Sequence, residues 1–135
     1  MEHKLLLAER ILDQISDAVI FADRAGIIRR WNPGATALFG YASEEALGQN
    51  LDLIIPEHLR TPHWKGFEAA MASGVTKLEG RPTLTRAAHK DARKLYVEMS
   101  FAIVKGDIGD PALGSVGVAR DVTERVEAQR AAGRK

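Results

Sequence analysis

Leu95-Tyr96-Val97-Glu98-Met99-Ser100-Phe101-Ala102-Ile103-Val104 alternates large apolar residues with polar or smaller ones. That period of two puts Leu95, Val97, Met99, Phe101 and Ile103 on one face of a strand and Tyr96, Glu98, Ser100 and Ala102 on the other. A slip of one residue would expose all five apolar side chains, so the pattern predicts that the odd positions lie under helices. Gly106-Asp-Ile-Gly-Asp-Pro111 then reads as a hairpin loop, and Leu113–Arg120 as the returning strand. Upstream, Ala87–Arg93 reads as a polar turn. Leu78–Thr85 is a weaker strand, because Gly80 and Pro82 suit an edge or a bulge.

The first half has its own punctuation. Ala18–Ala22 is a compact apolar strand, Asp23-Arg24-Ala25-Gly26 a turn, and Ile27–Trp31 the return, which together make a hairpin. Asn32 caps a short helix with Pro33 at its first position and Gly40 at its end. Ser43 reads as the cap of a further turn closed by Gly48, and Leu51–Ile55 as an apolar connector. His3–Ile15 forms a helix with Leu5, Leu12 and Ile15 close to one face. Asp121 opens a terminal helix, with Glu124 at capping-box spacing. The order is helix, two strands, short helices, three strands, helix. An antiparallel sheet covered on one face by helices, with a pocket between them, is an α+β fold.

The chain has 135 residues, enough for one domain with a real core. With 19 basic and 18 acidic residues the net charge is +1, and no global field draws the protein to nucleic acid or to a membrane. It has no cysteine, which removes disulfides, thiolate metal sites and cysteinyl-flavin chemistry. No apolar run approaches the ~20 residues that cross a bilayer. Nor does a secretory h-region follow the N-terminus, so a cytoplasmic location is expected.

Chemistry concentrates in Pro56–Gly74. Thr61 reads as an N-cap, Pro62 as the first helical residue, and Ser73-Gly74 as the stop. Within this helix His63, Phe67, Ala70 and Met71 fall at i, i+4, i+7 and i+8, one buried stripe. The positive end of the helix dipole disfavours a protonated ring at His63 and favours the neutral imidazole that can bind a metal. A core histidine hydrogen-bonded to a neighbour is the plain alternative.

Asp17-Ala-Val-Ile-Phe-Ala-Asp23, Gly26-Ile-Ile, Trp31-Asn32, Ala37-Leu-Phe-Gly-Tyr41 and Glu44-Glu-Ala-Leu-Gly48 together resemble the first half of a PAS sensory domain. Leu53-Ile-Ile-Pro-Glu57 is similar to the approach to that family's longest helix. Gly117-Val-Ala-Arg-Asp-Val-Thr-Glu124 resembles its last strand and the junction to an output helix. The resemblance implies a five-stranded antiparallel sheet and dimerisation through terminal helices. It also implies a sensing or scaffolding role rather than catalysis. Residues 1–16 are then a flanking helix, 17–121 the PAS domain, and 122–135 the start of a C-terminal output or linker helix.

Within the family, Pro56-Glu57 to His63 and Ala72-Ser73-Gly74 resemble the haem-binding branch typified by rhizobial oxygen-sensing kinases. That resemblance assigns His63 as proximal ligand of a b-type haem sensing a diatomic gas (CO, NO or O2) or redox state. It places Ile54, Trp64 and Phe67 on the proximal wall, and Leu78, Met99, Phe101, Val116 and Val118 on the distal one. Met99 is a packing residue or a soft sixth ligand. Thr83 stands where the oxygen sensors carry an arginine, and Arg81, of the same side-chain parity, contacts a propionate or solvent. Ala92 stands where the family usually has glycine after Lys-Asp. Two other readings stand beside haem. One is a homodimeric PAS signalling module with no cofactor or a small organic ligand. The other is a small α+β enzyme using His63 as general base, for which the sequence offers Glu57 and Glu68 as partners. Enzymatic motifs are absent: no phosphate loop, nucleophile elbow or zinc helix occurs.

Overall fold

The computed structural model describes residues 2–77 and 80–133, with side chains from residue 6 onward. Five helices and five strands follow in order: α1 (Glu2–Gln14), β1 (Ala18–Asp23), β2 (Ile28–Trp31), α2 (Pro33–Phe39), α3 (Ser43–Ala46), α4 (Arg60–Ser73), β3 (Thr83–Ala88), β4 (Lys94–Lys105), β5 (Ala112–Asp121) and α5 (Thr123–Gly133). Two 3-10 turns, Leu51–Ile54 and Glu57–Leu59, lead into α4. The strands form one antiparallel sheet in the order β2-β1-β5-β4-β3. The first hairpin thus lies beside the last strand, as the resemblance implies.

Phe39, Ala35, Leu38, Ala46, Leu51, Ile54, Phe67 and Met71 from the helical side meet Ile20, Ile28, Leu95, Val97 and Met99 from the sheet in one core. Leu95, Val97 and Met99 are buried as the alternation predicts, while Phe101 and Ile103 are half-buried. Tyr96 departs from the expectation for its face. It is buried too, on the far side of the sheet, against Val122 and Val126 at the start of α5. The side-chain hydroxyl of Thr123 accepts the Tyr96 N–H at 2.9 Å, and Asp121 accepts the Thr123 N–H at 2.9 Å, so the last helix is tied to the middle of the sheet.

Most boundaries shift by a residue or two from the sequence reading, and those of β3, α4 and α3 have a physical cause. β3 begins at Thr83, because Pro82 has no N–H for a ladder and Gly80 turns with φ +81°. It then runs through Ala88, claiming residues read as turn. Thr61 is not the cap of α4: the Glu57–Leu59 turn runs straight into Arg60, and Leu59 caps without a side-chain bond. Pro62 therefore sits third in the helix, still among the N–H positions that lack a helical partner. In α3 the cap is Ala42 rather than Ser43, and the Glu45 carboxylate accepts the Ala42 N–H at 2.9 Å. The cap of α2 holds as read: Asn32 accepts the Ala35 N–H, and Gly40 closes the helix at φ +85°.

Candidate functional site

The helix α4 lies over the sheet with two apolar cavities between them. One, of about 340 Å³, is lined by Ile20, Ile54, Leu59, Thr85 and Met99 among others. The second, of about 270 Å³, is lined by Phe67, Met71, Arg81 and Ile103 among others. Both share Leu51, Pro62, His63, Thr83, Phe101 and Ser115, so His63 stands in the wall between them. The half-burial of Phe101 and Ile103 has this origin: their outer atoms face cavity rather than neighbours.

His63 is half-buried, with its ring edge-on to Trp64 at 4.7 Å and tilted against Phe67 at 6.1 Å. Its Nδ1 is buried and has no hydrogen-bond partner. Burial pushes the imidazole below its ordinary value of 6.5, and the Asp52 charge opposes this. The ring is therefore neutral at pH 7, with a nitrogen for which the protein supplies no partner. Glu57 and Glu68 are exposed, so neither backs His63 as a general base would require. The carboxylate that acts on it is Asp52, which accepts the Trp64 indole N–H at 2.8 Å.

The structure brings together His63, Ile54, Phe67, Arg81, Thr83, Met99 and Phe101. Trp64 lies behind His63 instead of in the cavity wall, its indole drawn off by Asp52 and packed on Gly26. Val116 and Val118 are corrected: they pair with Ala102 and Ser100 on the opposite face of the sheet, and Ser115 and Gly117 line the cavity. The cause is volume. A Cβ on Gly117 would meet Phe101 Cε1 at 3.2 Å and Met99 Cε at 3.3 Å, so those side chains fill the space a valine would need. Leu78 lies outside the described residues. Sequence reasoning missed Leu51, Leu59, Thr85 and Ser115. Leu51 and Leu59 carried a signal, since both flank the Pro56-Glu57 that opens the site.

A profile of the PAS fold matches residues 7–122. The chain belongs to the PAS-fold family. It is a sensory signalling domain of that family, with the five-stranded sheet on which such domains are built. Among curated relatives, an uncharacterized protein of Azorhizobium caulinodans is 33% identical over 90% of this chain and 16% of its own length. Sensor protein FixL of Bradyrhizobium diazoefficiens is 29% identical over 88% of this chain and 23% of its own. Oxygen sensor protein DosP of Escherichia coli is 30% identical over 57% of this chain and 10% of its own. The chain thus spans less than a quarter of the length of these relatives. Among solved structures, the PAS domain of a Colwellia psychrerythraea protein superimposes with TM-score 0.78 at 24% identity, covering 90% of this chain and 99% of that one. An RNA-binding light-oxygen-voltage receptor gives 0.73 at 27%, covering 91% and 34%. No helix among the described residues is long and apolar enough to cross a membrane.

Proposed function

We propose that this PAS domain binds b-type haem through His63 and responds to a diatomic gas, carbon monoxide or nitric oxide in preference to oxygen. The observation that carries the reading is the His63 ring between two apolar cavities, with Nδ1 buried and unpartnered. The fit is favourable. The cavity volumes are of the scale small-ligand sites have, and the walls are mainly aliphatic and aromatic. Haem held by one imidazole supplies an iron with an open coordination position for a gas. The protein's part is to hold a neutral ring at residue 63, keep water out with Leu51, Ile54, Phe67 and Phe101, and offer Arg81 to a carboxylate. Thr83 gives the distal wall a hydroxyl where the oxygen sensors that the sequence resembles have a guanidinium. A hydroxyl there would offer oxygen a weaker hydrogen bond than a charged guanidinium. Relatives named as sensors, one of them for oxygen, support the gas reading.

The test is absorbance of the protein purified with haem supplied. A Soret band should appear in the wild type, vanish in a folded His63→Ala variant, and persist in His58→Ala and His89→Ala. Colourless wild-type protein, or a wild-type Soret band in His63→Ala, would leave His63 as a packing residue in a cofactor-free signalling module.

A further inference from the structure

We infer that Asp52 and Trp64 are positioning residues for His63, acting as a clamp that fixes its imidazole in the cavity wall. A histidine that ligates metal is ordinarily oriented by a hydrogen bond from its other ring nitrogen. Among the described residues no hydrogen bond holds the His63 ring by either nitrogen, and the final torsion of a histidine is broad and roughly two-fold. The direction of the ring is therefore set by its neighbours. Trp64 is edge-on to it and Phe67 lies across it.

Trp64 is itself held from two sides. Its Nε1–H donates to Asp52 Oδ1 at 2.8 Å, and its ring closes on the β1–β2 turn at Gly26. A Cβ at Gly26 would stand 2.3 Å from Trp64 Cη2, so that turn accommodates the indole only as glycine. The Leu51 N–H donates to the Gly26 carbonyl at 3.0 Å, which joins the turn to the segment bearing Asp52. Asn50 caps that segment, its side chain accepting the Asp52 N–H at 2.8 Å. Asp52 has a second partner on the same helix. Arg60 Nε is 3.9 Å from Asp52 Oδ1, and the same guanidinium donates to the carbonyls of Ile55 at 3.1 Å and Asp52 at 3.3 Å. Arg60 and Trp64 are i and i+4, one turn apart on one face of α4. Anchoring both to one residue fixes the roll of the helix about its axis, and with it the direction in which residue 63 points.

What the clamp serves rests on the haem reading above; its geometry does not, and the experiment separates the two. In the whole chain, without haem, Asp52→Ala and Trp64→Phe should break the link, while Asp52→Asn keeps an oxygen for the indole N–H and rescues it. Hydrogen exchange of the Trp64 indole N–H should accelerate by about tenfold or more in Asp52→Ala, as expected for losing a bond to a charged acceptor. In both disrupted variants the nuclear Overhauser contacts between the His63 and Phe67 rings should weaken. With haem supplied, the same two variants should lose haem about 10–100-fold faster than wild type, the usual effect of removing an outer partner of a metal ligand. Asp52→Asn should stay close to wild type. A lower unfolding temperature with unchanged His63–Phe67 contacts would overturn the inference, reducing the pair to a helix anchor. If no protein takes up haem, the haem reading fails by itself, and the ring contacts still decide the clamp.

Discussion

The side-chain carbonyl of Asn32 accepts the backbone N–H of Val19 at 2.8 Å, across thirteen residues of sequence. The same oxygen accepts the Ala35 N–H at 2.9 Å, and the amide NH2 donates to the carbonyls of Leu12, Ile15 and Asp17 at 3.0–3.3 Å. One buried side chain thus joins the end of α1, the start of β1 and the cap of α2. Asn32→Ala removes the side-chain partner of all five backbone groups, though Ala35 keeps a bond to the residue 32 carbonyl, and should cost about 2–4 kcal/mol, read as a lower urea midpoint with unchanged slope. Asn32→Asp, which keeps the acceptor but loses the NH2 donors, should also destabilise, since it faces a carboxylate towards three carbonyls.

His63 gives stability a pH dependence. Its folded value lies below 6.5, so at mildly acid pH the unfolded chain binds more protons than the folded one. The stability contributed by the neutral ring is complete above 6.5 and is lost as pH falls from there towards the folded value. His63→Phe should flatten this window in thermal unfolding measured across pH without haem. The acid fall that sets in below the ordinary carboxylate values should remain, because Glu45, held low by Lys90, and Asp91, held low by the Arg93 N–H, are unaffected. An unchanged profile in His63→Phe would refute the assignment.

Ala92, in the β3–β4 turn, has φ +72°, the one non-glycine residue among those described with positive φ. Its Cβ makes that conformation unfavourable. Ala92→Gly should therefore stabilise the domain by about 0.5–1 kcal/mol, the relief of strain exceeding the added chain entropy. Equilibrium unfolding in urea measures it, and a destabilised variant would contradict the turn geometry.

Of Leu5, Leu12 and Ile15, expected on one face, Leu12 is half-buried and the Leu5 side chain lies outside the described residues; Leu7 and Ile11 on α1 and Ile15 just past its end are exposed at the spacing of one helical side. We expect this stripe to be the seam of a homodimer. Ile11→Glu should lower dimer affinity by more than about tenfold, as a charge in an apolar seam demands, and removal of Met1–Gln14 should give a monomer in sedimentation. A wild-type monomer, or a dimer that survives the deletion, would show that the stripe serves another purpose.

The sheet was legible because β4 alternates over its length and because Asn32-Pro33 and Gly40 punctuate a helix without ambiguity. The site was legible only in part. His63, Phe67, Met99 and Phe101 were readable since large side chains at a fixed period announce their face. Val116 and Val118 misled for the opposite reason: the inward positions of β5 are small, Ser115 and Gly117, so the apolar signal came from the outer face. Trp64 misled because its partner, Asp52, is twelve residues away and nothing local marks the pair. β3 began late and ended late because a proline and a left-handed glycine delay it, while its far end is held by pairing with Lys94 and Leu95 rather than by its own composition.

Strand β4 serves the cavity with Met99 and Phe101 and the last helix with Tyr96. The pleat sends these duties to opposite sides of a single ribbon of backbone. If the cavity holds the ligand proposed above and α5 carries the output, substitutions at 99 and 101 should change what the domain binds, and those at 96 and 98 how that binding is passed on. On that reading a lineage could retune its ligand while keeping its output, or the reverse, by drawing on alternate letters of the same ten-residue word.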